Sequence, residues 1–116
     1  MKYINKKLSI ENVKVQNIAK KFGTPAYCYS YNQLKENINN FKRSFKSFSP
    51  LICFAIKSNT NVNLISEIRK LGLGADVVSM GELMKALKAG IKPNKIVFSG
   101  VGKTVEEIKY AINKKI

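Results

Sequence analysis

Residues 51–59 read LICFAIKSN, an apolar run that ends abruptly in a lysine, a serine and an asparagine. The apolar part, residues 51–56, is continuous rather than alternating, which is typical of a strand buried on both faces of a parallel sheet. The pattern therefore predicts a sealed strand followed at once by Lys57, whose ammonium group lies where that strand ends.

The rest of the chain repeats this order of strand and helix. We predict four strands, at residues 26–30, 51–56, 75–78 and 96–98. An amphipathic helix follows each strand, with apolar residues three and four positions apart, and a short helix that ends at Gly23 precedes the first strand. Strands joined through such helices pair in parallel, which predicts an α/β fold, either a doubly wound sheet or a (β/α)₈ barrel. In both folds the loops after the strands share the ligand-binding face, so Lys57 is predicted on that face.

Composition narrows the classes of function. With 116 residues, of which 45% are hydrophobic, the chain is the size of one folded domain. Its formal net charge of +14 would favour binding to nucleic acid, whose phosphates are negatively charged. The basic residues are nearly all lysines spread along the chain, however, rather than an arginine-rich cluster with aromatics, so we predict no nucleic-acid partner. No apolar window is long enough for a signal peptide or a membrane span, which predicts a cytoplasmic protein with no membrane partner.

The chain has two cysteines and no histidine. Cys28 and Cys53 both lie in apolar, strand-like runs, which favours small buried thiols over a disulfide or a metal site. Without histidine, the usual general base, the usual zinc ligand and any Ser/His or Cys/His pair are absent. Catalysis must then rest on other side chains, and no metal site is predicted.

Two interpretations of Lys57 remain open on the residues alone. The first is structural, because a lysine at the end of a buried strand marks the point where the chain returns to water. The second is a lysine that condenses with an aldehyde, which needs a neutral amine, whereas an ordinary lysine has a pKa of about 10.4. Apolar walls lower that value, and residues 51–56 are predicted to supply such walls.

A second candidate stretch is GADVVSMGEL at residues 74–83. Ser79 and Glu82 have the S-x-x-E spacing of a capping box, which satisfies amides at the start of a helix without any catalytic role. Asp76, near the start of the predicted strand, has a structural interpretation as a solvated edge residue. Ser79 is nevertheless predicted to lie at the carboxyl end of its strand, beside the loop of Lys57.

A third candidate is FSGVGKT at residues 98–104, a glycine-rich turn between a predicted strand and a predicted helix. A nucleotide-binding P-loop requires glycine five positions before Gly102, where this chain has Val97, so the P-loop interpretation fails. Thr104 and Glu107 have a second capping-box spacing. The stretch is therefore predicted to be a loop with a helix cap, flexible enough to approach an anion.

Taken together, the stretches TPAYCYS, ICFAIKSN, GADVVSMGEL and IVFSGVGKT resemble the N-terminal portion of the diaminopimelate decarboxylases, within the fold-type III family of pyridoxal-phosphate enzymes. The resemblance spans residues 22–113. One departure is Met80, where these enzymes usually carry glycine, and this difference raises the question of the local backbone conformation.

The resemblance implies a chemistry for the candidate residues. Lys57 would bind pyridoxal 5′-phosphate covalently at the cofactor face of a (β/α)₈ barrel and then act in proton transfer. Asp76 and Glu82 match acidic residues that line the same cavity in related decarboxylases, Asp76 as a cofactor-binding residue and Glu82 as a catalytic one. The implied reaction converts meso-diaminopimelate to lysine, in a full-length enzyme that is a homodimer.

The resemblance also implies that residues 1–116 are the N-terminal part of a pyridoxal-phosphate-binding barrel domain, about its first half, without the C-terminal β domain. A barrel of this type needs about 250 residues, and half a barrel leaves a strand edge unpaired. The chain alone is therefore expected to be marginally stable and inactive. The alternatives are a fold-type III decarboxylase of the ornithine or arginine type, a non-catalytic module that binds the cofactor, and a basic nucleic-acid binder.

Overall fold

A computed structural model describes all of residues 1–116 and divides the chain into two units, Met1–Ser44 and Phe45–Ile116. Each unit contains its own three-stranded sheet. No helix in the chain has both the length and the apolar character that crossing a membrane requires.

The first unit begins with an antiparallel sheet of β1 (Lys2–Ile4), β2 (Lys7–Ile10) and β3 (Val13–Lys14), in that order. Asn5 and Lys6 form the turn between β1 and β2, both with positive φ, the conformation that two-residue hairpin turns require. These strands were not predicted from the sequence, because they are short and each contains a lysine.

The first helix, α1 (Val15–Phe22), ends where its spacing predicts. Gly23 has a φ of 79°, and its N–H donates a hydrogen bond of 2.9 Å to the carbonyl of Ala19. The predicted strand at residues 26–30 is wrong, because this segment has no strand structure and pairs with no other strand. Strand-forming residues make a strand only where a neighbour completes the hydrogen-bond ladder. Cys28, predicted to be buried, is accordingly exposed.

The second helix, α2 (Tyr31–Ser44), is fixed at its start by Ser30 and Glu11. Ser30 Oγ accepts a hydrogen bond of 3.1 Å from the N–H of Gln33, as an N-cap does. Glu11 Oε1 in turn accepts bonds of 2.8 Å each from Ser30 Oγ and from the N–H of Asn32. The bond from the Asn32 amide is the main reason why the pKa of Glu11 lies below its ordinary value. One carboxylate thus connects the sheet to the helix within this unit.

The second unit alternates strands and helices, as predicted. Its elements are β4 (Cys53–Ala55), α3 (Val62–Lys70), β5 (Gly74–Val77), α4 (Met80–Lys88), β6 (Ile96–Phe98) and α5 (Val105–Asn113). The three strands are parallel and ordered β4-β5-β6. The parallel α/β fold is therefore confirmed, with three strands in the sheet rather than the predicted four.

The hydrophobic core lies on one face of this sheet, between the strands and the helices. Ala75 and Val77 of β5 are completely buried there, as are Ile56, Ile65 and Leu83. The prediction that residues 51–56 form a strand buried on both faces is wrong, since Cys53, Phe54 and Ala55 are only half-buried. The reason is that β4 has a strand on one side only and helices on one face only.

Glycine is required at position 74 because the backbone just before β6 approaches it closely. A Cβ added to Gly74 would overlap the backbone carbonyl oxygen of Lys95 and stand 3.0 Å from Cys53 Sγ. By contrast, a Cβ added to Gly81 would meet only Ser79 Oγ, at an ordinary 3.9 Å. A larger side chain is therefore accommodated at position 81 but not at position 74.

We expect Gly74→Ala to lower the free energy of unfolding by about 1–3 kcal/mol, because the overlapping atom belongs to the backbone and must move. Gly81→Ala, the matched control in the first turn of α4, should change it by no more than about 1 kcal/mol and in the stabilising direction. Urea denaturation followed by circular dichroism measures both. Equal effects of the two substitutions would contradict the packing at Gly74.

Candidate functional site

Lys57 lies in a 3-10 turn, Ile56–Ser58, that directly follows β4. Ile56 is completely buried in the core, and Ser58 Oγ closes the turn with a hydrogen bond of 2.8 Å to the carbonyl of Ala55. The turn packs against both β5 and α4. Lys57 itself is exposed and makes no hydrogen bond or ion pair within the chain. The turn is thus anchored by its neighbours, while the amine remains available for reaction.

Two details of the Lys57 prediction are corrected by this geometry. The lysine is the second residue after the strand rather than the first, because β4 ends at Ala55. The apolar walls predicted from residues 51–56 do not enclose it, since Ile56 faces the core and Lys57 faces solvent. A 3-10 turn advances the chain by about 120° per residue, so neighbouring side chains leave in different directions.

Asp76 lies in the middle of the sheet, on the face opposite the helices. Its neighbours Ala75 and Val77 are buried against the helices, and since side chains alternate along a strand, Asp76 projects from the other face, where it is half-buried. Asp76 pairs in register with Ala55, two residues before Lys57. On the other side, Asp76 pairs in register with Val97 of β6. Ser99, two residues after Val97, donates a hydrogen bond from Oγ to Asp76 Oδ1.

Ser99 is a site residue that the sequence pattern did not predict. A signal for it existed in the register, because in a parallel pair the residue two positions beyond the partner of Asp76 lies on the same face. Without knowing that β5 and β6 are neighbours, this register could not be applied.

Cys53 shares the face of Asp76, because it pairs in register with Gly74, two residues earlier on β5. Burial raises the pKa of the Cys53 thiol, and the negative charge of Asp76 raises it further. The thiol is free, as predicted. Together with Ala55 and Val97, these residues form a face that no helix of this unit covers.

The start of α4 is capped by Ser79, as its spacing from Glu82 predicts, but the predicted capping box is not completed. Ser79 Oγ accepts a hydrogen bond of 3.3 Å from the N–H of Glu82. The carboxylate Oε2 of Glu82 accepts a bond of 2.9 Å from the N–H of Val78, one residue before the cap rather than from the cap itself. Glu82 is half-buried, and its other oxygen, Oε1, has no hydrogen-bond donor within the chain.

Met80 is the first residue of α4 and does not adopt a positive φ. The backbone there is one that any L-residue adopts, so the methionine in place of glycine does not alter the local conformation. The question that this departure raised is thereby answered.

The start of α5 carries the second predicted capping box, and it is complete. Glu107 Oε2 accepts from the N–H of Thr104 at 2.9 Å and from its hydroxyl at 3.3 Å, while Thr104 Oγ1 accepts from the N–H of Glu107 at 3.2 Å. A further bond was not predicted: Glu107 Oε1 accepts from the N–H of Met80 at 2.9 Å. The backbone amide of Thr104, followed by that of Met80, holds the pKa of Glu107 below its ordinary value.

The structure thus brings together the elements that carry the three predicted site residues. The turn of Lys57 packs against the strand of Asp76 and the helix that Glu82 begins. No hydrogen bond or ion pair joins Lys57, Asp76 and Glu82 to one another. No group of three or more metal-ligating side chains is present.

Comparison with known proteins gives consistent matches. The family model described as "Pyridoxal-dependent decarboxylase, pyridoxal binding domain" matches residues 31–116. The diaminopimelate decarboxylase of Helicobacter pylori is 50% identical over 95 residues, which are 82% of this chain and 24% of that protein. The diaminopimelate decarboxylase of Aquifex aeolicus is 44% identical over 116 residues, all of this chain and 27% of that protein.

Among solved structures, the chain is similar to a diaminopimelate decarboxylase from M. jannaschii in complex with L-lysine. The TM-score is 0.95 and the identity 36%, over 99% of this chain and 28% of that one. The chain therefore spans about a quarter of the length of the relatives it matches.

The lowered pKa of Glu107 predicts a pH dependence of stability. A carboxyl whose pKa is depressed by folding contributes stability above its unfolded pKa of about 4.3 and loses it as the pH falls through the lower folded value. We expect Glu107→Gln to be less stable than the unchanged chain near pH 7, with a difference that shrinks steadily below about pH 4.3. Urea denaturation at a series of pH values measures this difference.

The control for this experiment is Glu106→Gln, since Glu106 is exposed in the same helical turn and makes no hydrogen bond. Its stability should follow that of the unchanged chain at every pH. A difference between Glu107→Gln and the unchanged chain that stays constant from pH 7 to pH 3 would show that ionisation of Glu107 has no part in its contribution.

Proposed function

We infer that this chain, which belongs to the pyridoxal-binding domain family of the pyridoxal-dependent decarboxylases, is the N-terminal part of a diaminopimelate decarboxylase. The observation that carries the inference is the identity of 43–50% to proteins of that name over most of the chain. Because those relatives are about four times as long, the activity belongs to the whole protein rather than to this part alone.

The residues present fit the cofactor of this family. Pyridoxal phosphate, when bound, condenses with amino groups and takes up the electron pair that remains when carbon dioxide leaves an amino acid. A protein that uses it needs a reactive lysine amine beside a polar surface. Lys57 offers an amine without a partner, on a turn packed against the strand of Asp76. We assign the covalent attachment of the cofactor to the Nζ atom of Lys57.

Each of the three side chains then has a role. Lys57 would hold the cofactor through Nζ, and its amine, when free, would transfer a proton. Asp76 is a cofactor-binding residue, because its carboxylate is fixed by Ser99 on the open face of the sheet. Glu82 is a catalytic residue that acts through Oε1, since Oε2 is occupied by the N–H of Val78.

The open face of the sheet supports the assignment to a barrel. A parallel sheet normally has both of its faces covered, yet the face of Ala55, Asp76 and Val97 carries no helix of this unit. In a (β/α)₈ barrel that face of the sheet lines the interior, and the active site lies at the carboxyl ends of the strands. We propose that residues 1–116 supply part of such a barrel, and that the remaining strands and a C-terminal β domain lie in the rest of the protein.

The partners follow from the same proposal. The substrate is the small amino acid meso-diaminopimelate and the product is lysine. We propose that the full-length protein is a homodimer, as the resemblance implies, and that it is cytoplasmic. Neither nucleic acid nor a membrane is expected to bind.

Attachment to Lys57 can be tested on the purified chain. Incubation with pyridoxal phosphate and reduction with borohydride should label the peptide containing Lys57 in preference to peptides containing other lysines. Lys57→Arg should abolish this label, whereas Lys88→Arg, an exposed lysine of α4, should leave it unchanged. Peptide mapping by mass spectrometry measures the label, and an even distribution over all lysines would argue against a site at Lys57.

The activity itself is measured on the full-length protein as the release of lysine from meso-diaminopimelate. We expect Lys57→Ala to reduce kcat by at least 10²- to 10⁴-fold, roughly the contribution of a positioned proton-transfer group. The isolated chain should form no lysine. Lysine formation by the isolated chain would show that the rest of the protein is not needed, and none by the full-length protein would exclude this activity.

A further inference from the structure

The carboxylate of Glu107 connects two helices that begin at the same end of the sheet. Its Oε2 atom completes the capping box of α5 with Thr104, while its Oε1 atom accepts the N–H of Met80, the first residue of α4. A capping box needs one oxygen of the acidic side chain. The second oxygen of Glu107 is therefore free to bind a residue outside α5, and it binds Met80.

Three backbone amides at the start of α4 are each bound by a different side chain. Ser79 accepts from the N–H of Glu82, and Glu82 accepts from that of Val78. The N–H of Met80 is the one that requires a residue from another element, namely Glu107. Unpaired amides in the first turn of a helix destabilise that turn, so the bond from Met80 to Glu107 stabilises it.

The loop before α5 makes two more contacts, one with β5 and one with the loop before α4. Ser99 Oγ donates to Asp76. Gly100, with a φ of 92°, lies against Val78 so closely that an added Cβ would stand 3.6 Å from the Val78 Cβ. The loop before α5 thus contacts both β5 and Val78, and Glu107 adds a contact at the start of the two helices.

We propose that Glu107 is a positioning residue for the site, because it fixes the first turn of α4 through Met80 and thereby holds the carboxylate of Glu82 in place. The side chain of Glu82 starts from this same turn, two residues after Met80. Loss of the bond would free the turn to move, and displacement of a reacting group by about 1 Å costs roughly 10²-fold in rate. The inference rests on the proposed function only for the role of Glu82.

Three substitutions separate this role from simple capping. Glu107→Ala removes both contacts. Thr104→Ala weakens the cap of α5 but leaves the bond to Met80 possible. Glu106→Ala, at an exposed neighbour without a hydrogen bond, controls for the loss of charge.

The first measurement is amide hydrogen exchange of Met80 in the chain itself, without cofactor. We expect exchange to be faster by about tenfold or more in Glu107→Ala, the usual contribution of a hydrogen bond to a charged group. It should change by less than about threefold in Thr104→Ala and Glu106→Ala. Equal acceleration in Glu107→Ala and Thr104→Ala, or none in either, would overturn the link to α4.

The second measurement is steady-state kinetics of the full-length holoenzyme. We expect Glu107→Ala to lower kcat roughly ten- to a hundredfold, with KM for meso-diaminopimelate changed less than about twofold. Glu107→Gln, whose amide oxygen can still accept the N–H of Met80, should recover part of kcat. If kcat of Glu107→Ala equals that of Glu106→Ala, the positioning role is wrong although the proposed function stands.

The two proposals fail in different ways. If the unchanged holoenzyme forms no lysine, the proposed function is wrong, and with it the role of Glu107 in placing a catalytic Glu82. The exchange of the Met80 amide would then still decide whether Glu107 holds α4 in place.

Discussion

The alternation of side chains along β5 is the constraint on which the second unit depends. Ala75 and Val77 are completely buried against the helices, and they belong to the same core as Ile56, which anchors the turn of Lys57. The same alternation forces Asp76 onto the opposite face, where Ser99 binds it. A single strand therefore builds the core with one set of residues and presents a carboxylate with the other.

Hydrogen bonds at the starts of the helices also hold this unit together. Carboxylates at the starts of α4 and α5 accept backbone amides that would otherwise lack partners. Glu107 does so for both helices, which connects the two loops that follow β5 and β6. These hydrogen bonds hold together the elements around Lys57, although the lysine itself is exposed and unpaired. Such a support suits the chemistry proposed for Lys57, which depends on position.

Much of this architecture was predictable from local patterns. Helix ends at Gly23, Gly72 and Gly90 follow from the positive φ that glycine adopts easily, and all three glycines have it. The caps at Ser79 and Thr104 were recognisable because each has an acidic residue three positions later, although only Thr104 and Glu107 form a complete capping box. The strand predicted at residues 26–30 failed since composition alone cannot supply a pairing partner. The bond from Glu107 to Met80 spans 27 positions, a distance at which no local pattern operates.

The sequence by itself determined the order of strands and helices in the second unit, the helix ends and the position of Lys57 just beyond β4, because each depends on neighbours only a few residues away. Tertiary structure alone decided which residues share a face. The pairing of Ala55 with Asp76, the contact of Ser99 with that carboxylate and the exposure of Lys57 all follow from the register of strands far apart in the chain. Register depends on which strands become neighbours and which faces the helices cover, and both are fixed only when the core is assembled.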